Sequence, residues 1–463
     1  MAIAFDNNAL LITSTELHLK LAEIIDIKKE ERPAFMWAFF YFFFLLCAYY
    51  VLRPVREEMG IQSGLKNLPW LWTGTFIGML VITPLFGWIS SRWPRRIFLP
   101  VVYIFFIVNL LVFFVAMRSP VVDKVFIAGA FYIWLSVFNY FVVSVFWSFM
   151  TDVFNADRAK RLFGGIAAGG SIGAMVGPIL TATLAKELGV PNLLLISALL
   201  LGGAIACLIG LGRWATQRAG MTDAERVAEA AKERALGGGI FDGLKLAFQS
   251  PYLLAIGGYI FLGQALGTYF YLEQLRLVSE SIASSSERIQ LFSHIDLAVN
   301  TVTLILQVFI TSALVRWAGL VFCLVALPTL AVISLGYTAL VPTLAVIAVC
   351  TVIRRSMEFA ISKPAREILF TVVSREERYK AKNVMDTLIS RGGDVTSTWI
   401  HAGTRTFGFG TASMALMAIP FALVMVGVGV FLGRSQQQRE KQSEQQRNEH
   451  AEAAKPAMMV SPV

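Results

Sequence analysis

Residues 35–58 read FMWAFFYFFFLLCAYYVLRPVREE, with no charge before Arg53. The eighteen residues ahead of that arginine would rise about 27 Å as a helix, close to the ~30 Å of bilayer hydrocarbon. The stretch therefore predicts a membrane-crossing helix. Its signature recurs along the chain. Apolar runs of helix length fall near 35–52, 70–91, 97–117, 125–150, 162–185, 191–212, 252–272, 289–314, 318–341, 343–363, 384–402 and 411–433. The run at 384–402 holds Asp386, Arg391 and Asp394, and counts as a span only where protein interior receives those charges. Composition agrees: of 463 residues, 56% are hydrophobic and 15% charged, against roughly 25% charged in soluble domains. A single soluble core is excluded, because such cores stop growing at about 250–300 residues. The four cysteines, Cys47, Cys207, Cys323 and Cys350, lie scattered in apolar runs, which excludes a disulfide scaffold. The expectation is an all-α polytopic membrane protein of twelve helices.

The end of the quoted stretch also reveals a repeat. At a shift of 220 residues, YYVLRPVR at 49–56 lies over YFYLEQLR at 269–276. At the same shift Thr151, Val153, Asp157, Arg158 and Lys160 lie over Thr371, Val373, Glu377, Arg378 and Lys380. Arg92-Trp93 meets Arg316-Trp317 at a shift of 224. Two matches at one offset point to two six-helix pseudo-repeats, the plan of major-facilitator-like transporters, with a site at mid-membrane. The domains expected are a cytoplasmic segment at 1–34, containing a short amphipathic helix over 15–31, and a six-helix bundle at 35–212. A polar inter-domain segment at 213–251, a second bundle at 252–433 and a disordered tail at 434–463 follow.

Orientation follows from the basic residues. With the N-terminus inside, the cytoplasmic segments hold 28 of the 40 Lys and Arg, the external loops 9, and three (Arg354, Arg355, Arg391) lie within spans. That asymmetry predicts both termini in the cytoplasm, and it explains the net charge of +9 without a nucleic-acid partner. The start of the chain shows no basic segment leading an apolar one, so no cleavable signal peptide is expected.

The motifs exclude several energy sources. No Gly-x-x-x-x-Gly-Lys-Ser/Thr element occurs, so transport cannot run on the chain's own ATP hydrolysis. His18, His294, His401 and His450 lack metal-ligand spacing, and no nucleophile–base pair stands out. The protein is expected to be a transporter and not an enzyme, without cofactor or metal, driven by exchange or by an ion gradient.

Charges inside spans mark the candidate site. Arg354 and Arg355 lie roughly 17 Å into their span, at 1.5 Å per residue. Glu358 follows at helical pairing distance from both, and Asp394 follows Arg391 by three. Such residues are costly and functional by default; the alternative is a structural network of mutual ion pairs. Acids and bases cancel in this group, so charge balance alone leaves the sign of a substrate open. Arg53 and Arg56 flank Pro54 at the external end of the first span, where a fork for carboxylate or phosphate competes with snorkelling and pairing to Glu57 and Glu58. The repeat sets Arg276 opposite Arg56. The substrate-binding candidates are Arg53, Arg56, Asn139, Arg276, Arg354, Arg355, Glu358, Lys363, Arg366, Lys380, Lys382 and Arg391. Asp296, Glu358, Asp386 and Asp394 are the candidates for coupling or ion pairing. Trp147 reads as packing. Gly165, Gly169, Gly173 and Gly177 share one helix face and predict close helix approach.

Two resemblances add to this. Gly87-Trp-Ile-Ser-Ser-Arg92-Trp-Pro-Arg95-Arg96, between spans 2 and 3, is similar to the major facilitator loop motif, with Ser91 for its acid and Pro94 for its glycine. Tyr49 through Glu58, Phe146-Trp147 with Ala159-Lys160-Arg161, and Lys380-Ala-Lys-Asn-Val-Met-Asp386 resemble the nucleotide transporters of the NTP/NDP exchange (ATP:ADP antiporter) family. That resemblance, over roughly 35–433, implies nucleotide binding, with Arg56 where the family has a transport lysine and Lys380 or Lys382 as the functional base. The family's acidic residue in span 4 has no counterpart; Asn139 is the nearest polar group. The reading is a secondary active transporter, monomeric in the bacterial inner membrane, exchanging or importing ATP/ADP or a related anionic metabolite. Its alternatives are a proton-coupled exporter of amphipathic compounds, titrating at Glu358 or Asp296, and a non-transporting scaffold or sensor.

Overall fold

The computed structural model describes residues 27–92, 95–154, 156–217, 250–374, 377, 381–382 and 384–458. They are almost wholly helical, with no strand among the described residues. The first six helices are α1 (Arg32–Gln62), α2 (Leu68–Arg92), α3 (Arg95–Arg118), α4 (Lys124–Val153), α5 (Ala156–Leu188) and α6 (Val190–Gln217). α7 (Pro251–Ser281) opens the second set, with Ser250 as its N-cap. α8 (Ser285–Ile305) runs on through a π turn at Leu306–Thr311, and α9 (Ser312–Leu340) contains a break at Gly319, whose φ of +76° suits glycine. α10 joins Leu344–Met357, a π turn at Glu358–Ser362 and Lys363–Leu369. α11 joins a π turn at Met385–Ile389 to Ser390–Thr406, and α12 is Thr411–Met458. Among the described residues nine helices are long and apolar enough to cross a membrane. α2, α10 and α11 complete the twelve, and the last two carry Arg354, Arg355, Glu358, Arg391 and Asp394.

The chain divides into two compact units. One takes residues up to Val55, Val81–Val122 and Leu135–Gly220; the other takes Arg56–Leu80, Asp123–Trp134 and everything from Met221. In the first unit α1 is the hub. A Cβ at Gly173 would lie 2.3 Å from the Phe43 carbonyl oxygen, and one at Gly169 2.5 Å from that of Phe39, so α5 lies directly on the α1 backbone. The glycine stripe is helix packing, as the spacing predicted. Thr181 and Ser197 donate to the α1 carbonyls of Val51 and Ala48, and the buried hydroxyls of Tyr41 and Tyr103 meet at 2.5 Å, joining α1 to α3. Trp147 packs against Phe42, Phe146 and Phe163. Just before α1, Glu31 accepts from Arg158 and Arg161 of α5. Burial pushes its carboxyl up, but the Arg161 hydrogen bond and charge outweigh that and hold it below its usual value. A lowered acid contributes stability above its unfolded pKa and loses it as pH falls through the folded one, so this tie weakens on acidification.

The second unit repeats two of these devices at or near the offset read from the sequence. Gly393 of α11, 220 positions after Gly173, likewise faces the first helix of its bundle, α7, but less tightly: a Cβ there would lie 3.4 Å from the Phe261 carbonyl oxygen. Tyr259 donates to the Leu324 carbonyl at 2.6 Å, tying α7 to α9 as Tyr41 ties α1 to α3. Gly429 and Gly433 bring α12 onto α9 at Leu324 and Val321.

Two boundaries differ from expectation. α1 continues through Pro54 to Gln62, so Arg53 to Glu58 are helical. The tail expected to be disordered continues α12 to Met458. Its Gln, Glu, Arg, Lys and Ala residues are good helix formers, Gln436 is buried, and Arg439 stacks on the Tyr252 ring at 4.6 Å. The amphipathic helix expected over 15–31 and the inter-domain segment lie largely outside the described residues; 27–31 lead into α1 without helix.

Gly173→Leu should lower the apparent Tm of the purified protein by several degrees or prevent its accumulation, since overpacking costs about 1–3 kcal/mol even where side chains can yield. Thermal unfolding followed by tryptophan fluorescence checks this.

Candidate functional site

The charges expected inside spans come together in the second unit around two π turns. π turns interrupt the regular hydrogen-bond ladder and are frequent at functional sites. Arg354 donates from Nη1 to Glu358 at 3.0 Å. Its guanidinium lies against α7, where a Cβ at Gly267 would be 3.1 Å from Nη1. Arg354 is 8% exposed, and its Nε has no hydrogen-bond partner among the described residues. Arg355 pairs with Asp296 of α8 at 2.9 Å, so its partner is not the Glu358 that helical spacing allowed. The π turn that begins at Glu358 changes the register of the residues after it. On α11, Arg391 pairs with Asp394 at 3.3 Å as expected, and Asp394 also accepts from Thr268 of α7 at 3.4 Å.

The bases continue towards the far end of α10. Lys363 lies over the Phe359 ring at 4.2 Å, within electrostatic reach of Glu358, Arg366, Arg391 and Asp386. Lys382 pairs with Glu367, and the exposed Asp386 is flanked by Arg366 and Lys382. Lys380 lies outside the described residues. Arg354, Arg355, Glu358, Lys363, Arg366, Lys382, Arg391, Asp296, Asp386 and Asp394 thus fall in one unit, on α8, α10 and α11 and the residues joining the last two.

The other candidates lie elsewhere. Arg53 and the half-buried Asn139 belong to the first unit, Arg53 with its guanidinium 5.8 Å from the Tyr50 ring. Arg56 belongs to the second: it pairs with Glu57 at 2.7 Å and lies over the Tyr132 ring at 5.2 Å. Arg276 pairs with Glu280 at 3.1 Å and approaches Glu273 at 3.9 Å.

Two clusters escaped the sequence reading. The first surrounds the end of α1. Glu58 is fully buried and takes a fork of two 2.6 Å bonds from Arg288 of α8, which also donates to the Ile282 and Ala283 carbonyls. Glu57 accepts from the Tyr271 hydroxyl, itself 2.8 Å from that of Tyr132. Leu68, Leu71, Leu272, Leu275, Val278 and Phe292 seal this polar chain with apolar side chains. The second cluster centres on Glu273 of α7, fully buried and bonded to Arg405 and His401 of α11 and to Thr411 of α12. A glutamate inside an apolar run was the available signal; its partners lie over 100 residues away and could not be read from spacing.

The sequence profile of the Major Facilitator Superfamily matches residues 36–365. No curated protein matches the chain. Among solved structures, the chain is similar to a bacterial homologue of the iron transporter ferroportin in an inward-facing state, with a TM-score of 0.61 at 13% identity, covering 88% of this chain and 98% of that one. It is also similar to the nucleoside transporter NupG, with a TM-score of 0.57 at 14% identity over 89% and 100% of the two chains. A POT family transporter in complex with a thioalcohol-conjugated peptide matches with a TM-score of 0.59 at 11% identity over 87% and 96%. These likenesses concern the fold, and their cargoes are chemically unalike.

Proposed function

The chain belongs to the Major Facilitator Superfamily, a membrane transporter fold without enzymatic chemistry, and from that premise we propose that it is a secondary active transporter moving anionic metabolites by alternating access. Nucleotides such as ATP and ADP are the proposed substrates, the bacterial inner membrane its location, with both termini in the cytoplasm and a monomer as the working unit. The observation that carries the reading is the buried Arg354 beside Arg355, backed along α10 by Lys363 and Arg366. Buried arginines offer planar, paired donors that match phosphate, and the bases beyond them concentrate anions at a narrow mouth. The resemblance to nucleotide exchangers supports the substrate class.

The deciding experiment is uptake of a panel of labelled nucleotides into proteoliposomes, with and without internal counter-substrate. Stimulation by an internal nucleotide supports exchange; absence of uptake for every nucleotide removes this substrate class. Arg56→Ala should then lower kcat/KM by about 10- to 150-fold, the worth of a charge-assisted bond of about 1.5–3 kcal/mol, while Arg56→Lys keeps part of the rate. Wild-type kinetics in Arg56→Ala would reduce Arg56 to the Glu57 pair already described.

A further inference from the structure

We propose that Arg354 receives a phosphate group of the substrate on its Nε–Nη2 edge while Glu358 stays bound to Nη1, which makes Glu358 the positioning residue of the fork. The proposal deepens the anion-transport reading and rests on it.

Two sides of the guanidinium are already taken. Glu358, four residues on along α10, accepts from Nη1 at 3.0 Å. The α7 backbone covers one face: a Cβ at Gly267 would lie 3.1 Å from Nη1 and 3.4 Å from both Cζ and Nη2, a spacing that suits glycine. What remains is the edge that carries Nε and Nη2. Nε has no hydrogen-bond partner among the described residues, although Arg354 is only 8% exposed. Among those residues Nη1 is the one guanidinium nitrogen with a bond. A donor so far from water costs free energy until an acceptor reaches it. Arginine stays charged, and this edge holds two parallel N–H donors in one plane. The acceptor that fits is an anion with two suitably spaced oxygens, as a phosphate has.

The affinity of such a fork depends on how much of its order exists beforehand. Freezing a long, rotatable side chain at the moment of binding weakens the complex. Here the freezing is done in advance. Glu358 pins the Nη1 corner, and Gly267 sets the height of the plane, so the Nε–Nη2 edge is already aimed when an anion arrives. The anion and Glu358 use different nitrogens, so both are bound at once. Lys363 and Arg366 also lie within electrostatic reach of Glu358. Its negative charge is thus offset from beyond Arg354, and an arriving anion does not meet an uncompensated carboxylate.

If the hydrogen bond to Nη1 aims the fork, reach matters more than charge at position 358. Glu358→Gln keeps the reach and an acceptor oxygen but drops the charge. Glu358→Asp keeps the charge but falls one methylene short. Calorimetric titration of the purified full-length protein with ATP and ADP should find Glu358→Gln close to the wild-type Kd. Glu358→Asp should bind about tenfold more weakly, the cost of ordering one long side chain on binding. The apparent Tm of both variants should stay within a few degrees of wild type, which a merely structural role of Glu358 would not combine with a selective loss of affinity. Gly267→Ala moves the guanidinium without touching any charge, and should weaken binding to a similar degree. Arg354→Lys keeps the charge but has no two-donor edge, and should lose about tenfold or more. Equal affinities in Glu358→Gln and Glu358→Asp, or tighter binding by the latter, would overturn the positioning role while leaving nucleotide binding intact. Wild-type affinity in Arg354→Lys would overturn the edge as the phosphate site. Failure of the wild type to bind either nucleotide would remove the reading beneath it, and the proposal with it.

Discussion

Arg355→Ala is expected to abolish transport and to destabilise the protein by about 3–5 kcal/mol, the effect of stranding one partner of a buried ion pair. The partner is Asp296, 3% exposed, whose bond to Arg355 at 2.9 Å crosses from α10 to α8. Loss of stability alone would not separate a structural pair from a substrate site, so a second variant is needed. Arg355→Met combined with Asp296→Leu removes both charges and fills the space with apolar atoms. Buried pairs replaced in this way often regain or exceed wild-type stability, so the apparent Tm should return to within a few degrees of wild type. Transport should not return. If the double variant moves nucleotide at the wild-type rate, this pair serves only to fasten α8 to α10.

The pair also shows how far the sequence could be read. Helix positions, the count of twelve and the six-plus-six repeat were legible, because hydrocarbon thickness fixes span length and because YYVLRPVR at 49–56 and YFYLEQLR at 269–276 stand 220 residues apart. Pairings within one helix turn were legible too, as with Arg354–Glu358 and Arg391–Asp394. Pairings between distant helices were not. Arg355 lies three residues from Glu358 yet bonds Asp296, because the tertiary packing of α10 brings that carboxylate of α8 to it, while Glu358 goes to Arg354. The same limit hid Glu273 with His401 and Arg405, and Glu58 with Arg288. Each acid was visible as a charge in or beside an apolar run, but its partner was set by tertiary packing. The tail erred in the other direction: polarity suggested disorder, while helix propensity and docking of Arg439 on Tyr252 carry α12 onward.

The cluster at the end of α1 yields the other large effect, and it concerns movement. On the orientation proposed above this end faces outward, so alternating access requires the α1 end to part from α7 and α8 in each cycle. Glu58 and Arg288 oppose that with two 2.6 Å charge-assisted bonds on a carboxylate wholly removed from solvent. Glu57, Tyr271 and Tyr132 add a second line. Glu58→Gln should therefore favour the outward-open state by about 3–5 kcal/mol, which is roughly a 150- to 5,000-fold change in population. The readout is a cysteine placed at Ser285, close to both Gln62 and Arg288. The four native cysteines are all buried, so a membrane-impermeant thiol reagent meets a quiet background. Labelling at position 285 should accelerate by at least tenfold when Glu58→Gln is added. The charge swap, Glu58→Arg with Arg288→Glu, should bring the rate back towards that of the parent. An unchanged rate in Glu58→Gln would mean that the pair fastens these helices through the whole cycle, and the parting surface would have to lie elsewhere.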